Sequence, residues 1–575
     1  MSTFKEPFDR ALAAINQPGS PFELGETDYN GQRVPCFVNA PKTLPALLKP
    51  ARNHSAATYI GYEGEHLSFS DFWDRVDRLA TWLHRERGIT SGSCVALAMR
   101  NYPEWMIGFT AIAVLGAVVA PMNSFAKASE IDQLLADIQP ALAIVDHERM
   151  ALFEHAGWNG PMVVARNNDG ATLPEHANTI ESCIEATVAD AELIERLGAQ
   201  RSGDDIALIM FTSGTSGKAK AAAVSHFNVC QTIVNLEAGS AIAYMTNKDG
   251  FDAHIQSGRY PKSLICVPLF HVSGIFAQAL PSLRGGRGLQ MMYRWDARVA
   301  AKMIEEEVIT VVVAAPSMLQ ELMDCQEFAD VDASSISNIS GAGAATPTRL
   351  KDAVQKRMPN ALGGSGWGMT ETCGVGAAFT GYFVTEKPFA SGFASPIIEF
   401  KFGEVENSNL PENSGGGEIW VRGPTVISRY LNNDEANRSD FVDGWFRTGD
   451  VGYFDDDGCL YLKSRTKDMI IRGGENVYPV EVEHCACELD AIFAAAGVGV
   501  PSEAYGEELA LVVQCHPGRS SELTEEDVLS HCRQHLASYK VPVKVIFTEE
   551  PFPLNATNKV LKHLVREQYL KDYTR

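Results

Sequence analysis

The chain is short of basic residues. Its 49 lysines and arginines stand against 72 aspartates and glutamates, a formal net charge of −23 over 575 residues. That balance opposes a general binder of nucleic acid or of an anionic membrane, which would show a basic surface. An anionic small molecule would have to be met by local lysines, arginines or backbone donors. No apolar run is long enough to cross a bilayer: the longest, residues 105–122, contains Gly108, Gly116 and Pro121 and reads as a buried helix leading into a strand. Residues 1–7 carry no apolar signal segment, so the expected location is the cytoplasm. Twelve cysteines are scattered without paired metal spacing. Cys485 and Cys487 are the only close pair, and a single Cys-x-Cys is weak support for a metal site. The cysteines read as reduced, mostly buried thiols.

What is present is an ordinary globular composition, 45% apolar and 21% charged, in a chain long enough for several domains. Residues 1–55 read as an irregular lead-in. From Leu67 to Ile144 helical and strand patterns alternate, with apolar residues at helical spacing (Phe72, Val76, Leu79, Leu83) and strands at 95–98 and 141–145. Further strands are expected at 206–210, 263–267 and 310–314. The rhythm predicts an α/β domain with largely parallel sheets, whose sites lie at strand ends. Past Glu418 short β runs take over, at 418–421, 451–454 and 459–462. The acidic cluster 455–458 between the last two is a hairpin turn signal, and lacks the ligand spacing of a Ca²⁺ loop. After Arg465 a small α+β segment, with helices near 479–489 and 525–536, reads as a separate lid.

One loop carries the chemistry. After the strand at 206–210 come Phe211, Thr212, Ser213, Gly214, Thr215, Ser216, Gly217 and Lys218, with Lys220 beyond. Glycines let backbone N–H groups turn toward an anion, hydroxyls add donors and lysines add charge. The expected ligand is a polyphosphate. The common nucleoside-triphosphate loop is a poor match: Thr212 stands where its first glycine belongs, and Ala219 follows Gly217–Lys218 instead of Ser or Thr. A Gly/Ser/Thr loop alone can also be a plain linker.

Several further segments, in order, resemble the adenylate-forming superfamily of acyl-CoA synthetases, adenylation domains and beetle luciferase. They are residues 268–274 around His271, residues 341–345, residues 366–371, residues 445–450, residues 464–467 and residues 554–559. The resemblance implies a large N-terminal domain, residues 1–466, of α/β subdomains plus a β-rich subdomain. It implies a small mobile α+β C-terminal lid, residues 467–575, hinged at Lys467. It further implies a two-step reaction in which a carboxylate attacks ATP, giving acyl-AMP and pyrophosphate, and a thiol then attacks the anhydride. The implied cofactors are ATP and Mg²⁺, with CoA as co-substrate; the partners are small molecules, with a homodimer left open.

The residue roles are those of the resemblance. Thr212 to Lys218 would hold the β- and γ-phosphates. Gly343, Ala344 and Ala345, with Gly366, Trp367, Gly368, Met369 and Thr370, would line the nucleotide site, Trp367 stacking on adenine. Glu371 would bind Mg²⁺. Asp450 would accept from the ribose hydroxyls, and Arg465 would pair with ribose or phosphate. Lys559 would be the catalytic lysine of adenylation, with His271 and Thr370 also at the reacting groups. A second lid orientation would present Gly473 and Gly474 to the thiol.

Four positions depart from the common pattern: Ala219, Ala221, Arg429 and Asn558. Asn at 558 tolerates the left-handed region that a glycine there would adopt. Pocket walls are expected around residues 271–276, 314–318 and 341–367, with Ile275, Phe276 and Met318 suggesting an apolar acid. A medium- or long-chain fatty acid fits, and an aryl acid nearly as well. The alternatives are an enzyme that loads a carrier protein and a nucleotide-binding homologue without turnover.

Overall fold

The computed structural model describes residues 3–54, 57–167, 170, 172–212, 219–341, 348–404, 415–473, 475–556, 558–571 and 573. The alternating pattern builds two large sheets. In the eight-stranded one, the parallel strands Ile206–Thr212, Val118–Pro121, Cys94–Ala98, Leu142–Asp146, Met162–Ala165 and Ala177–Thr179 run side by side. Its other edge is antiparallel: Lys220–Ser225 returns against Ile206–Thr212, and Tyr430–Leu431 pairs with it in turn. The nine-stranded sheet has a parallel centre that includes Lys262–Ile265, Val311–Ala314, Asn338–Gly341 and Leu362–Trp367.

Helices fill the layers between. Helix Phe69–Arg87 starts where the Ser68 side chain accepts from the Asp71 N–H and stops at Gly88, which takes a φ of 65°. Its expected stripe, Phe72, Val76, Leu79 and Leu83, is fully buried. Helix Pro103–Val114 is buried on every side, which explains why its sequence is apolar throughout rather than amphipathic. Both belong to one core that joins the two sheets.

A third, antiparallel sheet comprises Glu399–Gly403, Gly417–Arg422, Trp445–Phe454, Phe441–Val442 and Leu460–Arg465. The single turn Thr466–Asp468 follows, and from Ile470 the chain enters a separate five-stranded sheet with its own apolar clusters. Lys467 lies in that turn. The acidic hairpin at 455–458 is held by Lys387, whose ammonium pairs with Asp455 and Asp457; these carboxylates thus have a protein cation as partner.

The lead-in is not irregular. Residues 1–55 contain helix Glu6–Ile15, the hairpin of Leu24–Tyr29 with Gln32–Phe37, and helix Leu44–Leu48. Phe8 and Ala11 bury one face of the first helix, with the Phe8 ring centroid 4.8 Å from that of Phe393. The ordering energy comes from burial against distant segments, which the local Pro and Gly content conceals.

Candidate active site

The three sheets and the lid meet at a cleft of about 2290 Å³. A single small-molecule pocket is typically roughly 300–1,000 Å³, so this one has room for a nucleotide and an acid together. Four side chains from four elements converge in it. Strand Leu362–Trp367 ends on Trp367, the turn Thr370–Thr372 carries Glu371, strand Trp445–Phe454 carries Asp450, and strand Leu460–Arg465 ends on Arg465.

Asp450 and Arg465 are register partners across two antiparallel strands. The Arg465 Nε lies 3.0 Å from Oδ1 of Asp450, and the Trp367 indole N–H donates to Oδ2 at 2.8 Å. One carboxylate oxygen is thus paired with a guanidinium and the other accepts a hydrogen bond. Trp367 is buried, its ring 5.7 Å from that of Phe400, and a Cβ at Gly376 would press into its face. The ring is thus largely committed to packing, and its N–H to orienting Asp450. Gly368 is required by space: a Cβ there would stand 2.3 Å from the Gly374 carbonyl oxygen. Gly366, Met369 and Thr370 also line the cleft.

Glu371 is buried, and its Oε1 accepts from the Tyr430 hydroxyl at 2.8 Å. Burial pushes its carboxyl above the ordinary value, opposed by that hydrogen bond and by the charges of Arg465 and Lys220. A hard divalent cation beside it would restore the ionised form, so the donor fits Mg²⁺ chemically. Lys220 lies over the Tyr430 ring, 4.6 Å from its centroid, and 2.7 Å from Asp440.

Lys559 enters from the lid on a tight turn. The Asn555 N–H donates to the Lys559 carbonyl at 2.9 Å, the Asn555 side chain accepts from the Lys559 N–H at 3.0 Å, and Asn558 takes a φ of 59°. The Asn558 amide reaches the Met318 sulfur at 3.1 Å, tying the turn to helix Pro316–Asp324. Burial lowers the Lys559 pKa from its ordinary value. Arg465 and Lys467 add to that, while Asp450 and Glu371 act against it. The same ammonium acts on His271, whose pKa is lowered to about 3, by burial first and Lys559 second. The His271 Nδ1 accepts from the Ser273 N–H, so the neutral ring carries its proton on Nε2 and can only donate there.

The pocket walls differ from expectation in detail. Phe270, Val272, Phe276, Ala277 and Leu236 line the cleft. Ile275 and Met318 do not: Ile275 is turned into the core, and Met318 is buried with its sulfur against Asn558 of the lid. Gly473, with a φ of 59°, sits against Tyr505, and Arg472 pairs with Glu508. Lys559 is among the described residues that line the cleft, and Gly473 is not. Ser213, Gly214, Thr215, Ser216, Gly217, Lys218, Gly343, Ala344, Ala345 and Gly474 lie outside the described residues. Thr212 ends its strand opposite Lys220 and lines the cleft. Tyr430 and Asp440 were missed as site residues. Only the fold brings them to Glu371 and Lys220, and no local pattern marks them.

Comparison with known proteins decides the family. Residues 47–431 match the model of the AMP-binding enzymes, and residues 481–559 match that of the AMP-binding enzyme C-terminal domain. The chain belongs to the AMP-binding enzyme family. It is 30% identical over 484 residues to a long-chain-fatty-acid–CoA ligase of Mycobacterium tuberculosis, covering 84% of this chain and 89% of the relative. It is 31% identical over 505 residues to a 2-succinylbenzoate–CoA ligase of Bacillus licheniformis, covering 87% and 95%. A solved fatty acyl CoA synthetase of Mycobacterium tuberculosis superposes with a TM-score of 0.64 at 28% identity, covering 92% of this chain and 98% of that one. This member of the family is an AMP-forming acid–thiol ligase, which joins a carboxylic acid to CoA through an acyl adenylate. Ligases of this kind use ATP, Mg²⁺ and CoA. Among the described residues no helix is long and apolar enough to cross a membrane.

Proposed function

We propose that the protein is an ATP-dependent ligase of medium- or long-chain fatty acids with CoA, working in the cytoplasm. The apolar wall of Phe270, Val272, Phe276, Ala277 and Leu236 supports an apolar acid, as does the similarity to a long-chain-fatty-acid–CoA ligase. All twelve cysteines are free thiols, in keeping with a reducing compartment. The observation that carries the reading is Lys559, brought by the lid among Asp450, Arg465, Glu371 and His271.

In this reading Asp450 accepts from the ribose hydroxyls, already aimed by Trp367 and Arg465. Residues 212–218 hold the β- and γ-phosphates. Glu371 holds Mg²⁺, which when bound offsets phosphate charge. Lys559 spans the acid and the α-phosphate. As the carboxylate oxygen attacks phosphorus, negative charge builds on the phosphoryl oxygens, and a cation already in place stabilises it without solvent reorganisation. Neutral His271 donates from Nε2 toward the acid instead of competing for its charge. The lid then turns about Lys467 and replaces Lys559 with the Gly473 loop for thiol attack.

The test is pyrophosphate release with ATP, Mg²⁺ and a panel of fatty and aryl acids, with and without CoA. CoA-dependent turnover on medium- or long-chain acids supports the proposal. Turnover confined to aryl acids, the reading favoured by the 2-succinylbenzoate–CoA ligase relative, would overturn the fatty-acid assignment. Acyl-AMP that CoA does not discharge would point to a carrier-protein thiol.

A further inference from the structure

A second cluster of reactive side chains belongs to the lid; three of its members, Cys485, Glu488 and His535, also line the large cleft, while the charged groups that act on Lys559 are others. Cys485 sits near the end of helix Pro479–Ala486, and Glu488 follows one turn later, its N–H donating to the Cys485 carbonyl at 3.2 Å. His531 and His535 lie on helix Glu525–His535. Their separation of four places both imidazoles on one face, one turn apart, with ring centroids 4.3 Å apart. The two helices pack through Val482, Cys485, Val528 and Cys532. That packing turns a Cys-x₂-Glu pair toward a His-x₃-His pair.

The donor atoms of all four residues lie within 4.8 Å of one another. The His531 Nε2 and the Glu488 Oε2 are 3.1 Å apart. In a tetrahedral site with the usual zinc bond lengths, neighbouring donors stand roughly 3.3–3.6 Å apart. Small side-chain rotations therefore convert this arrangement into a coordination sphere. The His535 Nδ1 lies 2.9 Å from the His531 carbonyl oxygen. A carbonyl only accepts, so Nδ1 carries the proton and Nε2 keeps the lone pair a metal needs. This backbone contact is of the kind that orients histidine ligands in metal sites.

We propose that Cys485, Glu488, His531 and His535 bind one Zn²⁺ and clamp the two lid helices together. One sulfur, two imidazole nitrogens and one carboxylate oxygen suit a borderline metal and disfavour Mg²⁺ or Ca²⁺, which take oxygen donors. Four protein ligands close the sphere, which makes the site structural and leaves no position for substrate. Binding takes place through the Cys485 thiolate, so its proton passes to solvent as the Zn–S bond forms. The exposed edge, Glu488 and His535, gives the ion a way in.

The experiment is titration of the reduced, metal-stripped full-length chain with Zn²⁺, and with Co²⁺ as spectroscopic probe. The expected result is one equivalent bound, with a thiolate-to-cobalt charge-transfer band and d–d bands of tetrahedral intensity. Cys485→Ser should abolish the charge-transfer band. His535→Ala and Glu488→Gln, at exposed positions that leave the core intact, should each weaken Zn²⁺ binding about 100-fold or more. Those two variants decide the matter if Cys485→Ser does not fold. A wild-type cobalt spectrum that is octahedral or lacks the thiolate band would overturn the proposal. So would Zn²⁺ affinity unchanged in both exposed variants, which would place the ion on other thiols.

Discussion

The indole N–H of Trp367 reaches Oδ2 of Asp450 at 2.8 Å, from a ring packed against Phe400. In the proposed reading this carboxylate meets the two ribose hydroxyls, and it gains from facing them without spending binding energy on its own orientation. The indole and Arg465 hold it from two sides, in a sheet whose register already places Asp450 opposite Arg465. In that reading the nucleotide site is thus preorganised where the nine-stranded sheet, carrying Trp367, meets the antiparallel sheet, carrying Asp450 and Arg465.

Trp367→Phe keeps a six-membered aromatic ring and removes the indole N–H with the rest of the five-membered ring. A hydrogen bond to a charged group contributes about 1.5 kcal/mol or more, so KM for ATP should rise about tenfold. The KM for the acid should stay within about twofold, because in the proposed reading Asp450 meets the ribose and not the acid. Initial rates of pyrophosphate release against each substrate check this. An equal rise in both KM values would mean that the substitution disturbed the whole cleft.

Lys559→Ala should lower the adenylation rate by about 100-fold or more, the size of effect seen on removing one donor to developing charge. The second half-reaction, from supplied acyl-AMP and CoA, should stay near the wild-type rate, because the proposed lid turn removes Lys559 from the site. The two half-reactions measured separately check this. Equal losses in both would argue against a lid that exchanges its faces.

Glu371→Gln retains an oxygen for the Tyr430 hydroxyl but cannot carry charge. Burial already disfavours the ionised carboxyl, so the variant should melt at the same temperature or slightly higher. Pyrophosphate release should fall about 100-fold, with a higher Mg²⁺ concentration needed for half-maximal rate. Thermal unfolding and a Mg²⁺ titration check the two arms independently.

His226 gives a pH signature that belongs to the fold and not to catalysis. It is fully buried, its Nδ1 accepts from the Leu44 N–H at 3.1 Å, and its pKa is lowered to about 4, mainly by burial. The unfolded chain takes up the proton near pH 6.5, the folded chain only near 4. The unfolded state therefore binds more protons between those values, and stability falls as pH drops through them. At pH 5 the loss from this residue is about 2 kcal/mol relative to pH 8. Denaturant midpoints at the two pH values should separate less in His226→Gln, whose amide oxygen can still accept from Leu44.

Where a periodic pattern buries one face, the sequence shows the element plainly. Phe72, Val76, Leu79 and Leu83 mark their helix, and all are buried. Where order comes from distant contacts it is less visible: Phe8 is explained by Phe393, far along the chain. The site residues divide the same way. Asp450, Arg465 and Lys559 stand in recognisable segments. Tyr430 meets Glu371 only because a two-residue strand joins the sheet edge beside Lys220–Ser225. His531 and His535 form a visible i, i+4 pair, yet Cys485 and Glu488 reach them from a separate segment of the lid, and the Cys485–Cys487 spacing, weak support for a metal site, does not mark that meeting.

Asn558 ties the local backbone to the placement of Lys559 and allows a test at one position. Its φ of 59° is left-handed, a region that asparagine enters more readily than most residues and β-branched residues enter hardly at all. The turn it closes fixes the Lys559 backbone through Asn555, and its amide contacts Met318 across the lid interface. Asn558→Gly should preserve the turn and lose only the Met318 contact, leaving adenylation within about threefold of wild type. Asn558→Val should cost the turn about 1–2 kcal/mol and slow adenylation by about tenfold or more. Thioester formation from supplied acyl-AMP should be spared in both. If glycine proved as damaging as valine, the Met318 contact rather than the left-handed backbone would be what delivers Lys559 to the cleft.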